Sequence, residues 1–493
     1  MEQNVILNGD EITPENNIVI KTDSVDNILS SIQQQLVPFD FGAAAEDDLE
    51  KKPLRYHYVV FTVELVLRVT KLLGYSLTYK NGQVYIFNGQ FWKAIPQGVI
   101  EDFLGVAAEK LGVKFTKAKY HAFRTDLYKQ FITSSFFNPI ERNPDEVLIN
   151  LKNGTFSITT KAQELRAFNK DDFMTYQLPF HHEPDAKFPA FKMFLDRVLP
   201  DPDQQKVLAE FLGYIFMKHR TLKLEKFLIL LGDGGNGKSV VFDIVSALLG
   251  NENVSNYSLQ SLTNDNGYFR ASLVDKLVNY SSEISTQMNS TIFKQLVSGE
   301  KVEARLPYGR PFILEDYAKL MFNTNDLPRD VEQNHAYYRR FLILHFGVTI
   351  PDDERDPELA KKIIANELPG VFNWVLGGLK RLLAQKRFTD SHAMTDVLEQ
   401  YKRDSDTVLS FLVDEGYEKD VQNEIKLSYL YQYYSSYCKR SGFKYGSTRL
   451  FSKRLKAQGF HVWRKNRGYV VDAKKIDYPE PSPRSLGALE QNE

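Results

Sequence analysis

The chain has 493 residues, of which 43% are hydrophobic and 25% charged, with a formal net charge of −1. This length predicts two to four domains, because a single hydrophobic core stops growing well before it. No apolar run approaches the roughly 18 residues that span a bilayer, and the first residues lack the pattern of a secretory signal. The single cysteine, Cys438, excludes an internal disulfide and a cysteine-rich zinc site. We therefore expect a cytoplasmic protein without a membrane partner.

The N-terminal part of the chain is predicted to hold a flexible leader and one mixed α/β domain. Residues 1–50 are polar and end in an acidic stretch, which is typical of a loosely ordered segment. The domain at 51–185 begins with helical spacing of apolar residues from Tyr58 to Leu73. Two strand pairs follow, with turns at Asn88-Gly89 and Asn153-Gly154.

An alternation of strand-like and helical segments marks the middle of the chain. Residues 186–222 have a helical pattern and connect to the short apolar run KFLILL, which is typical of a buried parallel strand. The alternation continues through 223–350 and predicts an α/β core around a parallel sheet. Beyond it we expect a helical segment at 351–404 that opens with the linker PDDERDPE, a basic domain at 405–475 and a disordered tail at 476–493.

One motif in this core points to phosphate chemistry. GDGGNGKS follows the strand directly and precedes a helical run, which is the context that a phosphate-binding P-loop requires. Its glycines let backbone N–H groups point at phosphate oxygens, and the helix N-terminus adds a favourable dipole. Lys238 is expected to reach the β- and γ-phosphates, and the Ser239 hydroxyl to bind Mg²⁺. The predicted ATP and Mg²⁺ site comprises Gly232, Asp233, Gly234, Gly235, Asn236, Gly237, Lys238 and Ser239.

ATP hydrolysis at such a site needs a carboxylate at the end of a neighbouring strand, to bind the metal or polarise water. Glu283 follows the strand-like run that starts at Leu277, whereas Asp275 comes too early. A surface glutamate at a strand end is the alternative. The segment KLMFNTNDLP places Asn325 after another apolar run, where an amide can donate to the γ-phosphate or to the attacking water; Asn323 is its rival.

Arg339 and Arg340 precede the strand-like run FLILHF. An arginine here can stabilise transition-state charge on the nucleotide of a neighbouring subunit, an effect on the order of 10³–10⁵ in rate in other systems. Ordinary salt bridging is the alternative. Because the two residues are adjacent, the sequence does not choose between them, and both are catalytic candidates.

The order of these motifs resembles superfamily 3 helicases of the AAA+ class, and more narrowly the helicase part of phage, plasmid and poxvirus primase-helicases. The resemblance rests on GDGGNGKS, Glu283, FKQLVSGEKVEARLPYGRPF, TNDLP and YYRRFLILHF, and it covers roughly residues 55–350. It implies rings of six subunits in the cytoplasm of a bacterial host, with ATP at the subunit interfaces and DNA in the channel. Ser281 and Ser282 stand where the wider superfamily has a second acid before Glu283.

Within this resemblance, the segment upstream of Asn325 corresponds to a hairpin that grips DNA. A predicted helix, Thr291 to Ser298, leads into VEARLPYGRPFIL. Arg305 and Arg310 are expected to contact phosphates, and Tyr308 to stack on or push against the strand. The alternative is a hairpin that only packs between subunits.

The basic domain has the order helix, helix, basic hairpin, which is typical of a winged helix. IKLSYLYQYYSSYCKRSGF predicts a first helix whose aromatic residues are mainly core. GSTRLFSKRLKAQGF predicts a second helix capped by Ser447, with Phe451 and Leu455 buried. A solvated charged face is the alternative to DNA binding. The candidate DNA contacts are Arg449, Lys453, Lys456, Arg464, Lys465 and Arg467.

Together these features predict an ATP-dependent replicative DNA helicase of a phage or mobile genetic element, acting as a homo-hexamer on single-stranded, forked or origin DNA. The chain shows neither an acidic pair with a downstream histidine nor a cysteine set, so we expect priming to come from a separate primase or polymerase. One alternative is an ATP-regulated origin-binding initiator without processive unwinding. Another is a packaging or transposition ATPase.

Overall fold

The computed structural model describes most of the chain. Four candidate site residues, Glu283, Tyr308, Arg310 and Arg467, lie outside the described ranges, as do residues 477–493 of the predicted tail. In the part of the chain that the structure describes, no helix is both long and apolar enough to cross a bilayer. The described residues are 24–45, 52–80, 82–137, 143–219, 221–282, 284, 288–307, 309, 311–328, 335–443, 445–466 and 468–476.

An N-terminal unit consists of helices packed beside a small sheet. Its elements are α1 (Val25–Gln35), α2 (Arg55–Leu72), β1 (Ser76–Lys80), β2 (Gln83–Phe87), β3 (Trp92–Ile95), α3 (Gln97–Lys110), α4 (Phe115–Ala118) and α5 (His121–Ser134). The strands form an antiparallel meander, and Asn88 and Gly89 lie in the β2–β3 turn as predicted. Val63 of α2, Leu104 of α3 and Phe123 of α5 are fully buried in one core.

Over residues 24–45 the structure departs from the prediction that residues 1–50 form a loosely ordered leader, whereas residues 1–23 and 46–50 of that prediction lie outside the described ranges. α1 is capped by Ser24, whose Oγ accepts from the Asn27 N–H at 3.2 Å. Ile28 and Ile32 are fully buried in the same core as α2 and α3. Because these residues recur at helical spacing, burial of one face stabilises the helix despite the polar composition of the segment.

A second antiparallel meander belongs to a different core. Its strands are β4 (Val147–Leu151), β5 (Gly154–Ile158) and β6 (Gln163–Arg166), with the predicted Asn153-Gly154 turn between the first two. Ile149 and Phe156 pack with the following helices, α6 (Pro189–Val198) and α7 (Pro202–Tyr214). The predicted domain at 51–185 therefore contributes to more than one core: this meander packs on α6 and α7, while Tyr85, Phe87 and Trp92 of the first meander pack with Phe168 and Phe173.

A five-stranded parallel sheet forms the centre of the chain. Its strands lie in the order β13-β7-β12-β9-β8, and β10 and β11 form a separate antiparallel hairpin. The carboxyl ends of parallel strands meet at one edge, where α/β proteins bind their ligands. The predicted α/β class with a parallel sheet is confirmed. The elements are β7 (Phe227–Leu231), α8 (Lys238–Leu249), β8 (Val254–Ser255), α9 (Leu259–Leu262), α10 (Tyr268–Ala271), β9 (Val278–Ser281), α11 (Ser290–Ser298), β10 (Val302–Arg305), β11 (Pro311–Leu314), β12 (Lys319–Thr324), α12 (His335–Tyr338) and β13 (Phe341–His345).

Helices before and after the sheet pack against each other. After β13 come α13 (Leu359–Asn366), α14 (Leu368–Gln385) and α15 (His392–Asp404). α14 lies against α7 so closely that a Cβ on Gly378 would be 2.4 Å from the Ala209 carbonyl carbon. The segments at 186–222 and 351–404 therefore contain helices, as predicted; α6, α7, α13 and α14 share one core with the sheet, whereas Tyr401 of α15 lies in a second core.

The basic domain has a small core of its own. Ser447 caps its second long helix, with Oγ accepting from the Leu450 N–H at 3.4 Å, and Phe451 and Leu455 are buried as predicted. Tyr434 lies in the same core. The elements are α16 (Thr407–Asp414), β14 (Tyr417–Lys419), β15 (Ile425–Lys426), α17 (Leu427–Arg440), α18 (Thr448–Ala457), β16 (Val462–Lys465), β17 (Gly468–Val471) and β18 (Ala473–Lys475).

A buried lysine lies at the start of β12. Lys319 Nζ is 2.9 Å from His219 Nδ1 and 4.4 Å from the centroid of the Tyr214 ring. Burial lowers the pKa of Lys319 to about 7. Burial and the nearby Lys319 together lower the pKa of His219 to about 3, so this histidine is neutral near pH 7.

Stability is therefore expected to depend on pH through Lys319. From about pH 7 up to the ordinary lysine pKa of about 10.4, the unfolded chain binds this proton more tightly than the folded chain, so stability rises with pH. As the pH rises from about 7 to about 9, the melting temperature of wild type should therefore increase relative to that of Lys319→Met. Paired thermal melts measure this gain, and a constant difference would contradict the inference.

Candidate functional site

The predicted phosphate loop lies between β7 and α8. Gly235 and Gly237 have φ values of 72° and 85°, a region that glycine enters without strain. A Cβ on Gly237 would also lie 2.9 Å from the Phe194 ring of α6. α8 begins at Lys238, and the first N–H groups of a helix have no partner within it. The loop and helix start therefore offer backbone donors to an anion.

Lys238 folds back across this loop. Its Nζ donates to the Asp233 carbonyl at 2.9 Å and to Asn236 Oδ1 at 3.0 Å, and also to the Gly232 carbonyl. Lys238 is 8% exposed, and burial lowers the pKa of its amine while Asp233 opposes that shift. An ammonium held by neutral oxygens is placed to exchange them for the charged oxygens of a phosphate.

Two asparagines at the end of β12 have different surroundings. Asn323 is 7% exposed; its Oδ1 accepts from the Tyr280 hydroxyl at 2.8 Å, and its Nδ2 donates to the Lys238 carbonyl at 3.4 Å. These bonds tie β12 to β9 and to the start of α8. Asn325, two residues on, is exposed and lines the cavity beside the loop. This difference favours Asn325 over Asn323 as the amide that meets a ligand.

The cavity beside the loop has a volume of about 1350 Å³. Ser239 lies in its wall, as do Ser282 and Ile284, the neighbours of Glu283 in the chain. A cavity with phosphate donors and an apolar surface suits a nucleotide, which joins charged phosphates to an aromatic base. The apolar part of the wall includes Ala190, Met193, Phe194, Ile350, Leu359 and Ala360.

Two arginines that our sequence reasoning missed line the same cavity. Arg355 lies in PDDERDPE, the segment interpreted above as a linker. Its Nε donates to the Ile350 carbonyl at 2.9 Å, and the Ile350 N–H donates to the Gly235 carbonyl at 2.9 Å. Arg197 of α6 pairs with Glu354. Because Arg355 is flanked by acidic residues, the sequence gives no sign that it belongs to a site. The fold places it beside the loop at Gly235.

The two arginine candidates before β13 differ in exposure. Arg340 is 6% exposed; its Nη2 donates to Ser298 Oγ at 2.8 Å and lies 3.4 Å from a Glu225 carboxylate oxygen. Arg339 pairs with Glu225 too, but its side chain is 45% exposed. Both precede β13 at the amino edge of the sheet, about 16 Å of strand away from the carboxyl edge that carries the loop. Neither arginine is therefore placed to contact a ligand at the β7–α8 loop of the same chain.

The hairpin of β10 and β11 carries one described candidate at its tip. Arg305 is exposed there, and its Nε donates to the Gly309 carbonyl at 2.9 Å. Buried Arg270 of α10 donates through Nε to the Glu303 carbonyl at 2.9 Å. The hairpin is therefore anchored along β10 and presents a cation at its end.

The described DNA-contact candidates of the basic domain lie on α18 and on β16, and Arg467 lies outside the described ranges. On α18, three of them recur at i, i+4 and i+7, on one helix face. Lys465 is also exposed but pairs with Glu424 at 2.6 Å. Tyr429 and Tyr433 of α17 are 52% and 59% exposed, so the predicted aromatic core covers only part of that helix. The remaining exposed candidates are Arg449, Lys453, Lys456 and Arg464.

Comparisons with known proteins match this chain in sections. The family described as "D5 N terminal like" matches residues 68–200, and the one described as "Poxvirus D5 protein-like" matches 403–478. Residues 230–340 match a "Family of unknown function (DUF5906)". Solved apo structures of the NrS-1 C-terminal region have TM-scores of 0.45 and 0.46 at 13% and 14% identity, covering 84% and 83% of this chain and 99% and 98% of theirs.

A curated relative comes from Acanthamoeba polyphaga mimivirus: L207/L206, named as a candidate helicase. It is 23% identical over 272 residues, which are 52% of this chain. The match spans 27% of the mimivirus protein's length. D5-type families match on both sides of the five-stranded sheet, and together with the mimivirus relative these matches support a phage or viral primase-helicase family.

Proposed function

We propose that this chain is an ATP-dependent replicative DNA helicase of a phage or other mobile genetic element, of the superfamily 3, AAA+ type. One observation carries the proposal: Lys238 lies across a glycine-bounded loop at the carboxyl edge of a parallel sheet, in a cavity with polar and apolar walls. A loop of backbone donors with a lysine is the arrangement that binds the phosphates of ATP.

In this proposal each wall of the cavity would contact a different part of the nucleotide. The loop N–H groups and Lys238 would hold the phosphates, while Met193, which is 71% exposed, offers an apolar surface to the base. Ser239 and Glu283 are the proposed Mg²⁺ ligands; Asp243 also lines the cavity, and oxygen donors are the ligands that Mg²⁺ prefers. Bound Mg²⁺ would neutralise phosphate charge. Asn325 would orient the attacking water.

A ring of subunits would give a role to Arg339, which lies at the amino edge of the sheet. Arg339 is exposed and lies at the edge opposite its own phosphate loop, so it serves a nucleotide only across a subunit interface. We assign the trans-acting role to Arg339 rather than Arg340, which is buried and bonded inside its own subunit. The family resemblance sets the proposed ring at six subunits.

DNA would meet this chain at two surfaces. The anchored hairpin with Arg305 at its tip would grip single-stranded DNA, because a rigid support transmits movement of the sheet to the strand. The basic domain, proposed as a winged helix, would place the exposed face of α18 against forked or origin DNA and its β16–β17 hairpin against phosphates. A separate primase or polymerase would supply priming.

Strand separation on a forked duplex with ATP and Mg²⁺ tests the proposal, with two hairpin variants compared. Arg305→Ala should slow unwinding on the order of tenfold, because a phosphate contact at the tip is lost, while hydrolysis without DNA stays unchanged. Lys301→Ala is the matched control: Lys301 is an exposed cation just before β10 that pairs with Glu315, and its loss should leave unwinding intact.

The possible outcomes separate the candidate functions. ATP hydrolysis without any strand separation by wild type would favour an origin-binding initiator over a helicase. Unwinding by Arg305→Ala at the wild-type rate would assign the hairpin to packing between subunits. The basic face of α18 supports the initiator as the second candidate, because sequence-specific DNA binding requires a positioned reading helix.

A further inference from the structure

Two segments of the N-terminal unit meet outside the surfaces described so far. They are the start of α2 and the stretch around α4 and the start of α5. Arg55 Nη2 lies 2.7 Å from a carboxylate oxygen of Asp126 on α5, and Lys117 Nζ lies 3.5 Å from the centroid of the Tyr58 ring. We call this surface the α2–α4 face. Its members are Lys52, Arg55, Tyr56, Lys114, Phe115, Lys117, Lys119 and Tyr120.

Large rings on the α2–α4 face are exposed although the unit has a well-filled core. Tyr56, Phe115 and Tyr120 are 50%, 60% and 50% exposed. Lys119 Nζ lies 5.8 Å from the centroid of the Phe115 ring, and lysines and aromatic residues alternate along residues 114–120 of the sequence. Three large exposed rings beside cations, on two segments that contact each other through Arg55–Asp126 and Lys117–Tyr58, are the surface features from which we argue for a partner.

The positive charge of the α2–α4 face is largely uncompensated. Arg55 is paired with Asp126, but Lys114, Lys117 and Lys119 form no ion pair with any residue that the structure describes. Residues 112–125 contain no acid. Burial and then the nearby Arg55 lower the pKa of Lys117, as expected where cations crowd. A bound anion would relieve this repulsion.

We propose that the α2–α4 face binds single-stranded DNA. The three lysines would contact the phosphate backbone, and unpaired bases would stack on Phe115 and Tyr120. A DNA duplex keeps its bases stacked inside and leaves the rings uncovered. An acidic protein segment would satisfy the charges but not the rings. Charge and rings together therefore fit a single strand.

The salt dependence of binding tests the charge component. Full-length chain without nucleotide is titrated onto a labelled oligothymidine at several salt concentrations, and anisotropy gives the affinity. In Lys114→Gln/Lys119→Gln the slope of log affinity against log salt should fall in magnitude by about 1.4, because each phosphate contact on a single strand contributes about 0.7. Lys71→Gln/Lys129→Gln, which removes two exposed lysines elsewhere on the same unit, should leave the slope unchanged.

Substitution of the exposed rings tests whether bases stack on this face. Phe115→Ala and Tyr120→Ala should each weaken oligothymidine affinity about fivefold or more, and thermal melts should match wild type because neither ring is in the core. Photocrosslinking of an iodouracil oligonucleotide should label the peptide that spans residues 112–124.

Three outcomes would overturn the proposal. The first is an unchanged salt slope together with unchanged affinity in these variants. The second is an equal loss of affinity for duplex DNA, which would remove the single strand from the assignment. The third is equal competition by polyglutamate, which would assign the face to an acidic protein. None of these outcomes bears on ATP hydrolysis or unwinding, so they leave the proposed function standing.

Discussion

Replacing Lys238 with alanine should lower kcat for ATP hydrolysis by at least 10²–10³-fold, on the order expected when one group that stabilises transition-state charge is removed. Strand separation should be lost with it. The reason is structural: Lys238 is the cation that lies across the loop, held by the Asp233 carbonyl and Asn236 Oδ1, and the described cavity offers no other lysine.

A matched variant keeps this test independent of folding. Lys238→Met fills nearly the same volume without the charge, so it should lose hydrolysis as severely as Lys238→Ala while its thermal melt stays closer to wild type. Steady-state phosphate release measures the first quantity and scanning fluorimetry the second. Hydrolysis by Lys238→Met within threefold of wild type would contradict the assignment of the phosphate loop.

The two adjacent arginines should give opposite phenotypes. Arg339→Ala should fold normally, because its ion pair with Glu225 is half exposed, but should lose on the order of 10³-fold in ATP hydrolysis. Arg340→Ala should instead lower the free energy of unfolding by about 1–3 kcal/mol, since Ser298 loses its buried hydrogen-bond partner and Glu225 keeps only the exposed Arg339 and Lys223. Phosphate release and thermal melts on both variants separate catalysis from stability.

Mixed rings test whether Arg339 acts across a subunit interface. Inactive Lys238→Ala subunits still carry Arg339, and inactive Arg339→Ala subunits still carry an intact phosphate loop. Mixing the two should therefore restore part of the hydrolysis at interfaces that combine both. If no ratio recovers activity while each variant assembles, the trans-acting role is wrong.

Several elements were predictable because their signals are local in the chain. The Asn-Gly turns at residues 88–89 and 153–154 set both strand pairs, and Ser447 caps α18 where the sequence places it. The motif GDGGNGKS also lies between β7 and the start of α8, as its sequence context predicts. α1 was missed because only its few apolar residues carry a helical signal, and their burial depends on α2 and α3, which come later in the chain.

The candidate site was predictable where one segment supplies it and not where distant segments meet. Arg355 is tied to the loop through Ile350, and Arg197 reaches the same cavity from α6, yet neither has a motif. The choice between Asn323 and Asn325 depends on the Tyr280 hydroxyl, which reaches β12 from the neighbouring strand. The spacing of residues along the chain does not indicate such contacts, because they join segments that are far apart in the sequence.

By itself the sequence determined the α/β class, the glycine-rich loop with Lys238 and Ser239 between β7 and α8, the β10–β11 hairpin with Arg305 at the end of β10, and the basic face of α18. Each of these depends on residues that are close together in the chain, where backbone geometry and periodicity act directly. Only the tertiary structure decided that Arg340 is buried while Arg339 is exposed, and that the rings and lysines of the α2–α4 face form one surface. Burial and proximity of this kind depend on which distant segments pack together, and packing is a property of the whole fold.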